Sequence, residues 1–390
     1  MNKILLHSLT FPPDSVSTGM IVSEIAEELN HKLQNIEVLA SSPQYNNLKK
    51  QDLDLKNLKS YNKQYKSFRV NYLVSNQRSF NNTKRLSQWL IFNFKAIKFI
   101  YKNRKNYKKI LIFSYPPTMN LVCIFCSKIL KIETIYSVWE LYPEISDKLN
   151  KTKFKFVSSI FKIIDNYALN SVQSVVVNSL ELKNYLIENR RIPQSKLHVI
   201  HHFSPNTRNK ELPNLNLKTI IYTGNIGSPQ NLEAFIKFFK SAFPRDWKLK
   251  IFGSGEMYES ICKLRNENIE VLPYVERTEL EELIKDYPFA LVSLDQEITF
   301  EGFPGKTFDY LAMNKIIVNF SNSQSAVSNF VTQYGLGFNL NPKVEKSVES
   351  FLVQTQDLES LKRKFKNIDI YLTKFSNKEI VSNQYLNLII

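Results

Sequence analysis

The chain has 390 residues, of which 43% are hydrophobic and 23% are charged, and its formal net charge at pH 7 is +16. The length suits two domains of ~150 residues each, and the composition excludes a disordered or fibrous protein. Three cysteines are too few for a disulfide framework, which fits a reducing compartment.

The first half of the chain alternates between short β-rich runs and stretches of helical length. The N-terminal apolar run is short and predicts a first strand instead of a signal peptide. No uncharged stretch reaches the ~20 apolar residues of a membrane-spanning helix. The predicted strands are Ile4–Leu6, Ile36–Ala40, Val70–Val74, Ile110–Phe113, Thr134–Val138, Val175–Asn178 and Leu197–Ile200. The predicted helices are Ser17–Lys32, Asn120–Leu130, Phe154–Leu169 and Ser179–Asn189, and the polar segment 42–66 is predicted to be a loop. This order indicates a mostly parallel sheet with helices on both faces.

A polar stretch, 204–217, contains two prolines and four asparagines and predicts an interdomain linker. Alternation then resumes, with strands predicted at Thr219–Tyr222, Leu249–Phe252, Ile269–Leu272, Ala290–Leu294 and Ile316–Phe320. We therefore expect an α/β protein with two Rossmann-like parallel-sheet domains, 1–203 and 218–368, followed by a helical segment, 369–390.

The positive charge is confined to the first domain. Residues 1–203 carry 30 basic and 14 acidic side chains, whereas residues 204–390 carry 22 of each. The densest stretch, 84–109, has nine basic residues, no acidic one, and interleaved aromatic residues such as Trp89 and Phe92. This pattern predicts an interfacial helix that binds anionic headgroups. A core-packed helix with a solvated basic end stays an open alternative, and RNA binding is less favoured because no RNA-binding motif accompanies the charge.

Glycine is rare, and its distribution indicates a ligand site. Of nine glycines, eight form close pairs after residue 220, while Gly19 stands near the first predicted strand–helix turn. Two of the pairs follow predicted strands and three precede predicted helices, which is where open α/β sheets bind ligands. Backbone amides at such turns suit a phosphate or diphosphate. The four pairs are Gly224/Gly227, Gly253/Gly255, Gly302/Gly305 and Gly335/Gly337.

The stretch Glu301–Asp309, EGFPGKTFD, places two carboxylates around a Gly/Pro turn and a lysine. We expect Glu301 to point into a cleft ahead of the next helix. Asp309 is expected in the first turn of that helix, where its carboxylate can accept hydrogen bonds from the vicinal hydroxyls of a ribose. Lys306 supplies a point charge for phosphate. A capped helix with incidental charges is the alternative.

This stretch, continued by YLAMNKIIV to Val318, resembles the E-x7-E region of retaining GT-B glycosyltransferases of the large family 4. Five further segments resemble parts of that family in the same order. They are FPPDSVSTG (11–19), VWELYPE (138–144), SVVVNSLELKNYLIENRRIPQSKLHVIHHF (174–203), YTGNIGSPQNL (222–232) and IFGSGEM (251–257). The resemblance implies a GT-B fold, with two Rossmann-like domains facing across a cleft and the segment 369–390 crossing back to the first domain.

The resemblance also implies residue roles. Glu301 and Lys306 are the implied catalytic residues, with Glu301 facing the donor sugar, and Asp309 holds the ribose. Glu140 is expected to position the acceptor hydroxyl, and Arg78 is a further candidate on the acceptor side. The remaining candidates for donor binding are Gly19, Gly224, Asn225, Gly227, Gly253, Gly255, Arg277, Phe303, Pro304 and Gly305.

The sequence departs from the family pattern at several of these positions. The family often has Arg and Lys five residues apart after the first donor-domain strand, and here Asn225 and Gln230 stand there. Glu140 replaces an Asp, and Asp309 replaces the second Glu. We therefore expect Lys306 to supply part of the missing positive charge.

The implied reaction is retaining transfer of a sugar from a nucleotide sugar, with a UDP-sugar expected. The acceptor would be a polyprenyl-diphosphate-linked or other glycan in capsule or O-antigen assembly, reached from the cytoplasm at the inner face of the plasma membrane. We expect no cofactor and no nucleic acid. We also expect no metal, because His201 and His202 lack nearby acidic partners and Cys123 and Cys126 lack a second Cys pair. A GT-B-like sugar-nucleotide epimerase and a basic scaffold or nucleic-acid-binding protein are the alternatives.

Overall fold

A computed structural model describes residues 3–14, 16–44, 59–79, 81–149, 155–205, 208–341, 344 and 346–390. The chain divides into two compact units, and each is described by itself. The first unit comprises Met1–Asp147, Thr152–Pro205 and Lys378–Ile390, and the second comprises Lys148–Lys151 and Asn206–Asn377.

The described residues of the first unit form an eight-stranded sheet of order β3-β4-β2-β1-β5-β6-β7-β8. All neighbouring strands are parallel except β3, which pairs antiparallel with β4. The strands are β1 (Lys3–His7), β2 (Ile36–Ser41), β3 (Ser60–Tyr65), β4 (Phe68–Leu73), β5 (Tyr107–Phe113), β6 (Glu133–Val138), β7 (Ser174–Val177) and β8 (Leu197–Val199). The helices are α1 (Ser17–Leu33), α2 (Asn82–Asn103), α3 (Met119–Ile124), α4 (Glu144–Lys148), α5 (Lys155–Ser171) and α6 (Leu180–Glu188).

Strand β3 corrects the predicted loop 42–66, of which residues 45–58 lie outside the described residues. β3 is polar and exposed along most of its length, so it lacks the hydrophobic alternation that identifies a strand. Its half-buried Tyr61 stacks on Tyr72 of β4, with ring centroids 5.0 Å apart. A polar edge of this kind also discourages pairing with other chains.

Helix α2 begins where the Asn81 side chain accepts hydrogen bonds from the amides of Thr83 and Lys84. It ends at Asn103, so the basic stretch 84–109 is not one helix. Tyr107 begins β5, and Lys109 is buried in that strand, with its Nζ 3.2 Å from a carboxylate oxygen of Glu133.

The last helix of the chain, α14 (Lys378–Ile389), belongs to the first unit and packs against α1. Its residues Val381, Tyr385 and Ile389 join the first unit's core, and the Tyr385 hydroxyl lies 2.8 Å from Ser137 Oγ of β6. The sequence placed the start of this last segment at residue 369. The structure places residue 369 inside a helix of the second unit and changes unit at Lys378.

In the second unit the described residues form a fully parallel six-stranded sheet of order β11-β10-β9-β12-β13-β14. Its strands are β9 (Thr219–Asn225), β10 (Lys248–Ser254), β11 (Ile269–Leu272), β12 (Phe289–Ser293), β13 (Ile316–Phe320) and β14 (Gly337–Leu340). Its helices are α7 (Leu232–Ala242), α8 (Tyr258–Cys262), α9 (Arg277–Ile284), α10 (Lys306–Ala312), α11 (Ala326–Tyr334), α12 (Lys346–Gln356) and α13 (Leu358–Lys374). No helix among the described residues is long and apolar enough to cross a membrane.

Candidate functional site

Two glycine turns lie side by side at the carboxyl ends of β9 and β10. Gly224 and Gly253 are paired in the parallel register, and a Cβ atom on Gly253 would lie 2.0 Å from the Gly224 carbonyl oxygen. Gly224 and Gly255 have φ angles of 107° and 150°, which side chains rarely tolerate. β9 is also where the strand order changes direction, since β10 and β11 lie on one side of it and β12 on the other. Ligands of open α/β sheets bind at such a switch point.

Lys306 links the third glycine pair to these turns. The third pair, Gly302 and Gly305, directly precedes α10, whose first residue is Lys306. The Lys306 Nζ donates a hydrogen bond of 2.9 Å to the Thr223 carbonyl and lies 3.7 Å from the centre of the Tyr222 ring. Burial of the ammonium lowers the pKa of Lys306 to about 7. The Lys306 ammonium, which lies beside Gly224, therefore titrates near neutral pH.

The positions where the resembling family has two cations are occupied here by two amides that bond to each other. Gln230 Oε1 accepts from Asn225 Nδ2 at 3.3 Å and from the Gly227 amide at 3.1 Å. This bonding closes the turn after β9 without adding charge. The positive charge beside Gly224 is therefore that of Lys306.

Asp309 and Arg277 form an ion pair between α10 and α9. Asp309 lies in the first turn of α10, and its Oδ1 is 3.1 Å from Nη2 of Arg277, the first residue of α9. The sequence predicted Asp309 in that first turn. It did not predict that Arg277 would bond to Asp309, because the two residues are 32 positions apart.

Glu301 is fully buried, so its carboxylate does not face an open crevice as the sequence suggested. Its Oε2 accepts hydrogen bonds from the amides of Thr299 and Phe300, at 2.8 and 3.0 Å, and its Oε1 lies 3.0 Å from Lys148 Nζ. The carboxylate thus holds the turn that leads into α10. Sequence reasoning missed Lys148, because nothing local marks a lysine whose partner lies 153 positions later in the chain.

Phe303 also has a structural contact that the sequence did not indicate. Its ring lies in the core, 5.5 Å from Phe308 and 5.2 Å from Phe330 between centroids. The carbonyls of Pro304 and Gly305 accept hydrogen bonds from the next residues of α10. Phe303 therefore anchors the turn, and Pro304 and Gly305 start the helix.

A cavity of about 360 Å³ adjoins the turn after β9. Its charged lining is mainly acidic, with Glu233, Asp295 and Glu297 against the single lysine Lys148, and apolar residues such as Ile226, Leu232 and Met257 complete it. Asp295 accepts a hydrogen bond of 2.8 Å from Asn231. Carboxylates beside apolar surface suit hydroxyl groups better than phosphate.

Three candidate residues lie in the first unit. Gly19 is buried in the first turn of α1, where a Cβ atom would come within 3.1 Å of the backbone of Thr10 and Phe11. Glu140 is exposed after β6 and accepts a hydrogen bond of 3.2 Å from the Tyr142 hydroxyl. Arg78 follows β4 and donates its amide to the Gln44 carbonyl. Gly19 thus permits close packing of α1. Its donor-binding role, like the acceptor-side roles of Glu140 and Arg78, stays a prediction.

Comparison with known proteins defines the class. Three solved structures resemble the chain across 99–100% of its length, each itself covered to 99%. They are Alr3699/HepE from Anabaena in complex with UDP (TM-score 0.63, 12% identity), WaaG, a glycosyltransferase involved in lipopolysaccharide biosynthesis (0.65, 9%), and an E. coli trehalose-6-phosphate structure bound with UDP-2-fluoro glucose (0.68, 9%). At these identities the likeness shows the fold, and it confirms the predicted GT-B fold.

Residues 217–368 match the family model described as glycosyl transferases group 1. This range covers the strands and glycine turns of the second unit. With the GT-B fold, the match confirms the prediction that the protein is a glycosyltransferase. No curated protein gives a significant match to the chain.

Proposed function

We propose that the protein is a retaining hexosyl- or N-acetylhexosaminyltransferase that uses a nucleotide-sugar donor, with a UDP-sugar expected. The observation that carries the donor assignment is the convergence of Gly224, Gly253 and the Lys306 ammonium at one edge of the second unit's sheet. The comparison structures support it, since the HepE structure contains UDP and the trehalose-6-phosphate structure contains UDP-2-fluoro glucose.

The chemistry calls for positive charge at this place. Breaking the anomeric C–O bond leaves a nucleoside diphosphate on which negative charge develops, and preorganised donors lower that barrier. Gly224 presents bare backbone, so a diphosphate can approach Lys306 closely. A bound anion raises the pKa of Lys306 and so keeps the ammonium protonated, whereas burial alone lowers that pKa in the free protein.

The neighbouring residues divide between binding and positioning. Asp309 would accept the ribose hydroxyls, and Arg277 orients its carboxylate. Because no part of Glu301 is exposed, we propose that it positions the turn before α10 through Lys148 and the local amides, without touching the donor sugar. The acidic cavity beside Gly227 would hold sugar hydroxyls.

The proposed acceptor is a lipid-linked or other glycan of a cell-envelope polysaccharide, such as capsule or O-antigen, at the inner face of the plasma membrane. The charge of the first half of the chain supports this, since that half has 30 basic residues and only 14 acidic ones. A polyprenyl-diphosphate acceptor and its bilayer are both anionic. Within 84–109, the exposed cations that would meet them are Lys84, Lys98, Lys102, Arg104, Lys105 and Lys108.

The test is a donor screen that measures nucleoside-diphosphate release from UDP-, GDP- and ADP-sugars, with and without lipid-linked acceptor. We expect release from one nucleotide class that rises when acceptor is added, and NMR of the product should show the donor's anomeric configuration. Binding of nucleic acid with no thermal shift by any nucleotide would contradict the proposal and favour the scaffold alternative.

A further inference from the structure

Helix α5 exposes an apolar stripe along its whole length. Phe156, Ile160, Ile163 and Tyr167 follow one another at spacings of four, three and four residues, which places them on one face of the helix. Their exposed fractions are 73%, 42%, 69% and 53%. Soluble proteins rarely expose a continuous apolar face of this kind unless it binds a partner.

The opposite face of α5 is already packed. Ser158, Asp165, Ala168 and Leu169 are buried, and the Ser158 hydroxyl donates to the Asp147 carboxylate. The helix therefore cannot rotate to bury its apolar stripe without exposing this second set. The apolar stripe is thus part of the exposed surface of the first unit.

Helix α2 presents a similar stripe on the same side of the sheet. Right-handed crossovers place the helices that connect β4 to β5, β5 to β6 and β6 to β7 on one face, and α3 contacts both α2 and α5. Apart from Ile390, all the exposed large hydrophobic side chains in the described residues of the first unit lie on these helices, on the adjoining turn 125–129 or at the start of α6. They are Leu86, Leu90, Ile91, Phe94, Tyr101, Ile129, Phe156, Val157, Ile160, Ile163, Tyr167 and Leu180.

The exposed charge on the helices that carry the two stripes has one sign. In α2, α3, the turn 125–129 and α5 the single carboxylate is Asp165, and it is buried. The exposed charges are lysines, namely Lys84, Lys98, Lys102 and Lys128. Apolar stripes bordered by cations complement an anionic bilayer, whose acyl chains take the aromatic and aliphatic side chains and whose headgroups take the lysines.

We propose that α2, the turn 125–129 and α5 form a single docking surface for an anionic lipid bilayer, in which α5 supplies most of the inserted apolar contact. Two stripes fix the tilt of the first unit against the membrane, which one helix alone would leave free to roll. The inference extends the proposed function from the basic stretch 84–109 to a helix that has only two lysines. It rests on that function only for the location of the acceptor.

The test is co-sedimentation with vesicles of phosphatidylcholine alone and with added phosphatidylglycerol. Phe156→Ser/Ile163→Ser should weaken binding to the anionic vesicles by about tenfold or more per residue, since each buried apolar side chain contributes more than one such factor. Both side chains point into solvent, so the variant should fold. Val353→Ser, at a 68% exposed position of α12 in the second unit, is the matched control and should bind like wild type.

Lys98→Gln/Lys102→Gln should reduce binding to anionic vesicles and flatten its salt dependence. Unchanged vesicle binding by the α5 variant would overturn the proposal. The proposal would also be overturned if the surface bound a second copy of the chain. Light scattering would then show a dimer that the α5 variant dissociates, while vesicle binding stays unchanged.

Nucleoside-diphosphate release from free donor, measured without vesicles, keeps the two claims apart. The α5 variant should retain that release. Wild-type protein that releases the diphosphate but ignores anionic vesicles would overturn the docking surface and leave the enzyme assignment intact. Vesicle binding without nucleotide binding would instead contradict the proposed donor site while supporting the surface.

Discussion

In the parallel sheet of the second unit, one lysine lies at the carboxyl end of a strand and another at the amino end of a different strand. Each lies over an aromatic ring and donates a hydrogen bond to a backbone carbonyl near a glycine. Lys306 lies 3.7 Å from the Tyr222 ring centre and bonds to Thr223 at the end of β9. Lys364 lies 4.1 Å from the Phe338 ring centre and bonds to Gly337 at the start of β14. Burial lowers the pKa of both.

The two lysines make similar contacts, but they lie near opposite ends of helices. The strand end at Gly224 leads into the amino terminus of α7, whereas Gly335 caps the carboxyl terminus of α11 in a left-handed conformation. Helix amino termini favour anions and carboxyl termini disfavour them. The larger cavity, about 490 Å³, lies beside Gly337, so cavity size alone would choose the end opposite to the proposed donor site.

Replacing each lysine should give the largest difference between the two sites. Lys306→Ala should lower kcat for diphosphate release by ~10²–10³-fold, the usual loss for one preorganised donor to a developing anion. Lys364→Ala removes the same kind of contact and should leave kcat within about twofold, because Lys364 lies outside the proposed donor site. Steady-state kinetics with the donor found in the screen measure both, and equal losses would remove Lys306 from the site.

Two glycines provide a second matched pair. A Cβ atom on Gly253 would lie 2.0 Å from the Gly224 carbonyl oxygen, and one on Gly337 would lie 2.0 Å from the Ile317 carbonyl oxygen. Both Gly→Ala changes should therefore destabilise the fold, by at least the ~1–3 kcal/mol of an overpacked core. Urea unfolding should show similar losses. Calorimetric titration below the transition should show weaker nucleotide binding for Gly253→Ala alone, and equal weakening would contradict the assignment.

The buried ion pair of Glu301 predicts a smaller effect. Lys148→Met leaves the Glu301 carboxylate without its cation and should cost about 1–2 kcal/mol of unfolding free energy, below the range of fully buried pairs because the Lys148 side chain is 35% exposed. The loss should shrink in a Glu301→Gln background, which a double-mutant cycle measures. Lys237→Met, at an exposed helical pair with Glu233, is the control and should change stability little.

The sequence predicted those parts of the candidate site that local patterns mark. Hydrophobic runs ending in glycine placed Gly224 and Gly253 at strand ends, and the helix after Gly305 begins as expected. Partners distant in sequence, such as Lys148 with Glu301, leave no such pattern, because folding alone brings them together.

Burial is the second thing that sequence did not reveal. The helix at 154–169 was predicted, but an apolar stripe has the same spacing whether it faces core or solvent. The polar β3 was missed for the converse reason, since its edge position needs little apolar contact. For α5 the sequence predicted the helix but not its exposed face, whereas for β3 it did not predict the strand.

The pH dependence of Lys306 gives the finest test of the contrast between the two sheet ends. In the free protein the ammonium loses its proton as pH rises through about 7, so donor affinity should fall above that pH and KM should rise while kcat changes little. Stability should move the other way. The unfolded lysine keeps its proton up to its ordinary pKa, so the unfolding free energy gains from pH 7 upward and the cost of burial is fully present below it. Lys306→Met should remove both slopes, whereas Lys364→Met should leave the KM profile of wild type. A KM profile that Lys306→Met leaves unchanged would place the titrating group elsewhere.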